Sequence, residues 1–82
     1  MKITVTAKHI AAGVPMSPCG CALALALREQ WRPDAKVGVE YVVSGTLAVR
    51  LPLEARIFER NVDFGHSELV RPIAFELDAP QA

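Results

Sequence analysis

Eighty-two residues hold one domain and leave too little chain for two cores. Nine basic and nine acidic residues cancel without forming a block of either sign, so the cationic footprint that selects duplex nucleic acid is missing. A hydrophobic fraction of 51% suffices for an ordinary packed interior.

The opening alternation Lys2-Ile3-Thr4-Val5-Thr6-Ala7-Lys8 predicts a strand with Ile3, Val5 and Ala7 inward. It has no continuous apolar centre and so does not read as a secretory signal. His9 to Gly13 predicts one helical turn, closed by Gly13 in the left-handed conformation.

The stretch from Pro15 to Trp31 holds the longest apolar run, both cysteines and the single tryptophan. Ser17-Pro18 predicts a helix start, because serine caps with its hydroxyl and proline gives up an amide that has no partner there. Ala22 to Leu27 alternates alanine with leucine, and both are such strong helix formers that helix outweighs the strand-like period. At about 100° per residue, Leu23, Ala24, Leu27 and Trp31 share about a quarter of the circumference. Arg32-Pro33 ends the helix. The run from Cys19 to Leu27 is too short to span a bilayer, which makes the cytoplasm the expected location.

Pro33 to Lys36 predicts a turn. Val37, Val39, Tyr41 and Val43 then predict the inner face of a second strand, with Gly38, Glu40 and Val42 on the outer face. Ser44-Gly45 turns the chain into a third strand, with Leu47, Val49 and Leu51 inward and Thr46, Ala48 and Arg50 outward. Pro52 opens a second helix, whose wet arc is Arg56, Glu59, Arg60 and Asp63. Its apolar side is Leu53, Ile57, Phe58, Val62 and Phe64, and Gly65 stops it. Arg71 to Leu77 predicts the last strand, with Ile73, Phe75 and Leu77 inward, and residues 78–82 form a frayed tail. Strand, helix, strand, strand, helix, strand is the ferredoxin-like βαββαβ order: an α+β domain with a four-stranded antiparallel sheet and both helices on one face.

Four groups of residues bear on chemistry. Cys19 and Cys21, with His9 and His66, supply zinc-type ligands, but residues two apart on a helix point about 200° away from each other. Cys19 in a first helical turn also reads as a reactive thiol, although no base is fixed beside it. Against both stands the plainer reading of one packed and one near-surface thiol, with the histidines as surface or capping residues. The amides of Pro18 to Cys21, opened by Gly20, are a weak anion-binding candidate at Cys19, Gly20 and Cys21 without the lysine of a P-loop. The open sheet face is a docking surface in many folds of this topology. Here Tyr41 and Phe75 are expected to turn inward, which leaves no aromatic platform for RNA.

Thr6, His9-Ile10 and Gly13-Val14, followed by a cysteine pair and Ala22 to Leu27, resemble a family of small uncharacterised accessory proteins of phages, prophages and GC-rich bacteria. Leu51-Pro52 at a helix start and Arg71-Pro72 before the last strand extend the likeness. Members often carry Cys-Pro before the alanine-leucine run, where this chain has Ala22. The resemblance implies stoichiometric binding to a host defence component, as by inhibitors of CRISPR effectors or proteins that sequester nucleotide signals.

With no acid–base or nucleophile constellation evident, the sequence points to a non-enzymatic protein-binding module without a cofactor. The expected partner contacts are Glu40, Val42, Thr46 and Arg50 on the open sheet face, with Arg56 and Arg60 on the second helix. Homodimerisation through that face or an edge strand is a subsidiary expectation.

Overall fold

The computed structural model describes residues 1–79. Its elements are β1 (Lys2–Val5), α1 (Ala7–Ala12), α2 (Ala22–Gln30), β2 (Lys36–Val37), β3 (Tyr41–Ser44), β4 (Leu47–Arg50), α3 (Leu53–Asp63), a single 3-10 turn over Ser67–Leu69, and β5 (Ile73–Glu76). The class is α+β as expected, but the strands form two antiparallel sheets, β1-β5 and β2-β3-β4, and not one four-stranded sheet. The tail expected at residues 78–82 lies outside the described residues from position 80 onward.

The ends of the chain meet in the first sheet, where Lys2 pairs with Glu76 and Val5 with Ile73. Ile3, Val5, Phe75 and Leu77 turn into the core, following the alternation in the sequence. On its other side β1 meets a side chain and not a strand. Gln30, the last residue of α2, accepts the Thr4 N–H at 2.8 Å and donates to the Thr4 carbonyl at 2.7 Å. That amide satisfies the free edge of β1 and occupies the place where a ferredoxin-like sheet continues.

The strand predicted through Lys8 ends at Val5, because Thr6 caps α1. Its hydroxyl accepts the His9 N–H, and the His9 ring accepts the Thr6 N–H in return. Gly13 closes α1 with φ −72°, so it is not left-handed as expected. It is glycine for want of space: a Cβ there would stand 2.5 Å from the Ala22 nitrogen. The left-handed position belongs to Met16, at φ 61°.

α2 starts four residues later than predicted. Ser17 does accept amide protons, but it closes a tight turn, taking the Gly20 N–H on its hydroxyl and the Cys21 N–H on its carbonyl. Pro18 points its carbonyl at the Val37 N–H and so belongs to the link with β2. Cys21 is the N-cap. Ala22, Leu23, Ala24, Ala26 and Leu27 are buried along α2, and the alanines leave room for close packing. Burying each leucine contributes about 1.5–3 kcal/mol.

Residues 36–44 form a hairpin where the sequence predicted one strand. Gly38 donates to the Tyr41 carbonyl at 2.8 Å, which turns the chain back through Val39 and Glu40 and pairs Val37 with Val42. A Cβ on Gly38 would press on that same carbonyl at 3.3 Å. The reversal flips the register. Val42 and Ser44 are buried, while Val39, Tyr41 and Val43 are exposed. β3 runs on through Gly45 (φ 59°) and Thr46 into β4, as expected, and Asp34 holds the Ser44 hydroxyl at 2.6 Å.

Candidate functional site

α3 carries apolar residues on opposite faces. At about 100° per residue, Ala55, Phe58 and Val62 form one stripe, and Leu53, Ile57 and Phe64 form another about 150° away. The first stripe packs into the core; the second does not. Leu53 is 59% exposed, Ile57 50% and Phe64 68%, and they are joined by Met16 at 77% and Val39 at 84%. These five side chains converge on one groove of about 450 Å³, bordered by Glu40, Arg56 and Arg60. Arg60 lies 6.0 Å from the Phe64 ring centre, and Arg56 is aimed by donating to the Leu51 carbonyl at 3.1 Å. A contiguous exposed patch of large apolar side chains with a charged rim is the ordinary signature of an interaction site.

The groove therefore unites three of the predicted contacts, Glu40, Arg56 and Arg60, and separates the others. Val42 is fully buried, because the reversal at Gly38 turns it inward, and it is no surface residue. Thr46 sits at the β3–β4 turn beside Trp31 and Arg32. Arg50 lies in a depression with Glu76 and Asp78. Met16, Val39, Leu53, Ile57 and Phe64 are additions that the sequence assigned elsewhere or left as loop. The available signal was the excess of apolar residues around α3, more than one face needs.

Beneath the groove lies a pair of which one member, Glu59, was expected on the wet arc of α3. Glu59 is only 6% exposed, and Cys21 donates its thiol to Glu59 Oε2 at 3.2 Å. The Cys21 sulfur also accepts the Ala24 N–H at 3.4 Å. Burial, reinforced by Glu59, pushes the Cys21 thiol up to about 12. Burial likewise raises the Glu59 carboxyl to about 7; Asp63 adds to the rise, and the thiol hydrogen bond opposes it. A thiol held protonated in this way is the reverse of an activated nucleophile.

Of the amides expected to hold an anion at Cys19, Gly20 and Cys21, the structure engages two within the chain. Ser17 takes the Gly20 and Cys21 amides, the Cys21 sulfur caps the helix, and a carboxyl sits against it. Cys19 is exposed. His9 is a capping residue, with Nε2 3.4 Å from Glu29, and His66 pairs loosely with Glu68 at 3.7 Å. Among the described residues, no group of three His, Cys, Asp or Glu side chains is placed to hold a metal ion. No helix among them is long and apolar enough to cross a membrane. Comparison with protein-family models, curated proteins and solved structures gives no significant match.

Proposed function

We propose that the chain is a non-enzymatic protein-binding module that docks one apolar segment of a partner protein in the groove between α3, Met16 and Val39. The observation that carries this reading is the convergence of five exposed large apolar side chains on one concave surface. The charges on the rim define the occupant. No ion pair engages Arg56 or Arg60 among the described residues, so an amphipathic segment bearing acidic residues beside its apolar anchors complements them. Glu40 offers a contact for a basic residue of the same segment.

Stoichiometric occupation of such a partner is how a small inhibitor works. A host-defence target, including a CRISPR effector, is the form of this reading that the resemblance to phage accessory proteins favours. The rival thiol reading needs Cys19 in a first helical turn, whereas α2 begins at Ala22, and Cys21 is buried against Glu59.

Photo-crosslinkers at Leu53 and Ile57, compared with one at Thr46, test the proposal in cells. A single partner is expected to crosslink from the two groove positions and not from Thr46. Ile57→Glu is then expected to weaken that purified partner at least about tenfold, in keeping with the loss of a buried anchor. Equal crosslinking from Thr46, or none from the groove, would overturn the assignment. Light scattering that shows a dimer broken by Ile57→Glu would reassign the groove to a second copy of the chain.

A further inference from the structure

We propose that the docking groove is gated by pH: the Glu59–Asp63 carboxyl pair fixes Met16 in the groove wall while Glu59 carries a proton, and releases it when Glu59 ionises. The inference rests on the docking reading and adds a control to the same site. It begins with Met16, which is 77% exposed and yet held at φ 61°, a conformation disfavoured for any residue with a Cβ. The Val14 N–H closes the loop around it on the Gly20 carbonyl at 2.8 Å, and Met16 itself is tied to α3 by Asp63, whose Oδ1 accepts the Met16 N–H at 2.9 Å.

Asp63 lies one turn beyond Glu59 on α3, and the two share a hydrogen bond when Glu59 is protonated. The polar chain then runs from the Cys21 S–H to Glu59, from the Glu59 O–H to Asp63, and from the Met16 N–H to Asp63. Each donor has an acceptor. Loss of the Glu59 proton removes the middle donor and leaves two carboxylates one helical turn apart, with Glu59 buried. Asp63 is then repelled from the position that holds Met16, and the strained residue relaxes.

Among the described residues no ion pair engages Glu59 or Asp63, although Arg56 and Arg60 line the same groove. From α2, Cys21 presents a neutral thiol. Ser17 and Pro18 line the cleft over Glu59 and carry no charge, and Val37, Gly38 and Val39 complete that wall. Glu40, Arg56 and Arg60 border the outer groove, where Arg56 is turned to the Leu51 carbonyl and Arg60 to the Phe64 ring. Burial already moves the Glu59 transition to about pH 7, the range in which a gate of this kind has use.

Carbon-13 methyl labelling of methionine, together with the backbone amide of Met16, reads the gate in the intact chain without a partner. Between about pH 5.5 and about pH 8.5, both Met16 signals are expected to move with one midpoint near that of the Glu59 carboxyl carbon, followed in the same protein. Glu59→Gln keeps a donor for Asp63 and is expected to hold Met16 at its low-pH position throughout. Met16 signals that stay flat in the unsubstituted chain, or that still titrate in Glu59→Gln, would overturn the proposal. Should the variant fail to fold, the match or mismatch of the Met16 and Glu59 midpoints decides alone. A titrating Met16 in a chain that crosslinks to nothing keeps the gate and removes the docking reading; a bound partner over a flat Met16 does the reverse.

Discussion

The side-chain amide of Gln30 brackets Thr4, accepting its N–H at 2.8 Å and donating to its carbonyl at 2.7 Å across 26 residues of sequence. A glutamine thus stands in for a neighbouring strand and closes the inner edge of β1. Gln30→Ala is expected to cost about 1–2 kcal/mol, the worth of two partly solvated hydrogen bonds, measured by urea denaturation. It also bares an edge, so light scattering of the variant is expected to show concentration-dependent association. A variant as stable and as monodisperse as the parent would show that the edge needs no cover.

Glu59 makes stability depend on pH with a definite sign. Its folded-state value of about 7 lies above the ordinary 4.5, so the folded state holds the proton more tightly than the unfolded chain does. The associated stability is fully present below about pH 4.5 and is lost as pH rises through 7. Across that window the loss is on the order of 3 kcal/mol, read as a falling urea midpoint. Glu59→Gln is expected to flatten the profile and to be the more stable protein at pH 8. The stability linked to Cys21, raised to about 12, is lost only above its ordinary value of 9 and does not confuse the window.

On the proposed docking reading, the two stripes of α3 separate folding from partner binding. Phe58→Ala empties a buried site and is expected to cost about 3–5 kcal/mol. Ile57→Glu, on the opposite face, is expected to leave stability within about 0.5 kcal/mol while abolishing docking. Circular dichroism melts of the two variants suffice, and equal destabilisation would mean that α3 is rotated from the orientation described.

Gly13 has an ordinary φ, so Gly13→Ala would be harmless on conformational grounds. Space decides otherwise: the new methyl meets backbone atoms of Ala22 at 2.5 and 2.9 Å, which α1 and α2 must separate to relieve. A loss of about 1–3 kcal/mol is expected. Gly20→Ala, which meets only the Ser17 hydroxyl at 3.0 Å, is the milder control in the same thermal-shift series.

The half-buried strands were legible in the sequence, because a face that alternates water with core writes period two directly, as in Ile3 and Val5 or Phe75 and Leu77. The tight turn at Gly45 was legible for the same local reason. The reversal at Gly38 was not. Val37, Val39, Tyr41 and Val43 put an apolar residue at every second position and carry the alternation across the turn, so the register flips without breaking the pattern. Glu40, Arg56 and Arg60 were readable as exposed charges, but the groove between them was not, since a helix with two apolar stripes does not say which one the core takes. The Cys21–Glu59 contact spans 38 residues and leaves no local trace at all.

The pairing of Lys2 with Glu76 carries a kinetic consequence. β3 and β4 need only a two-residue turn to find each other, whereas β1 and β5 must wait until nearly the whole chain has been gathered in. Amide protons of the central hairpin should therefore gain protection early in refolding, with those of the terminal ribbon arriving last. The ribbon acts as a late-closing clasp whose formation reports that everything between its two halves is already in place.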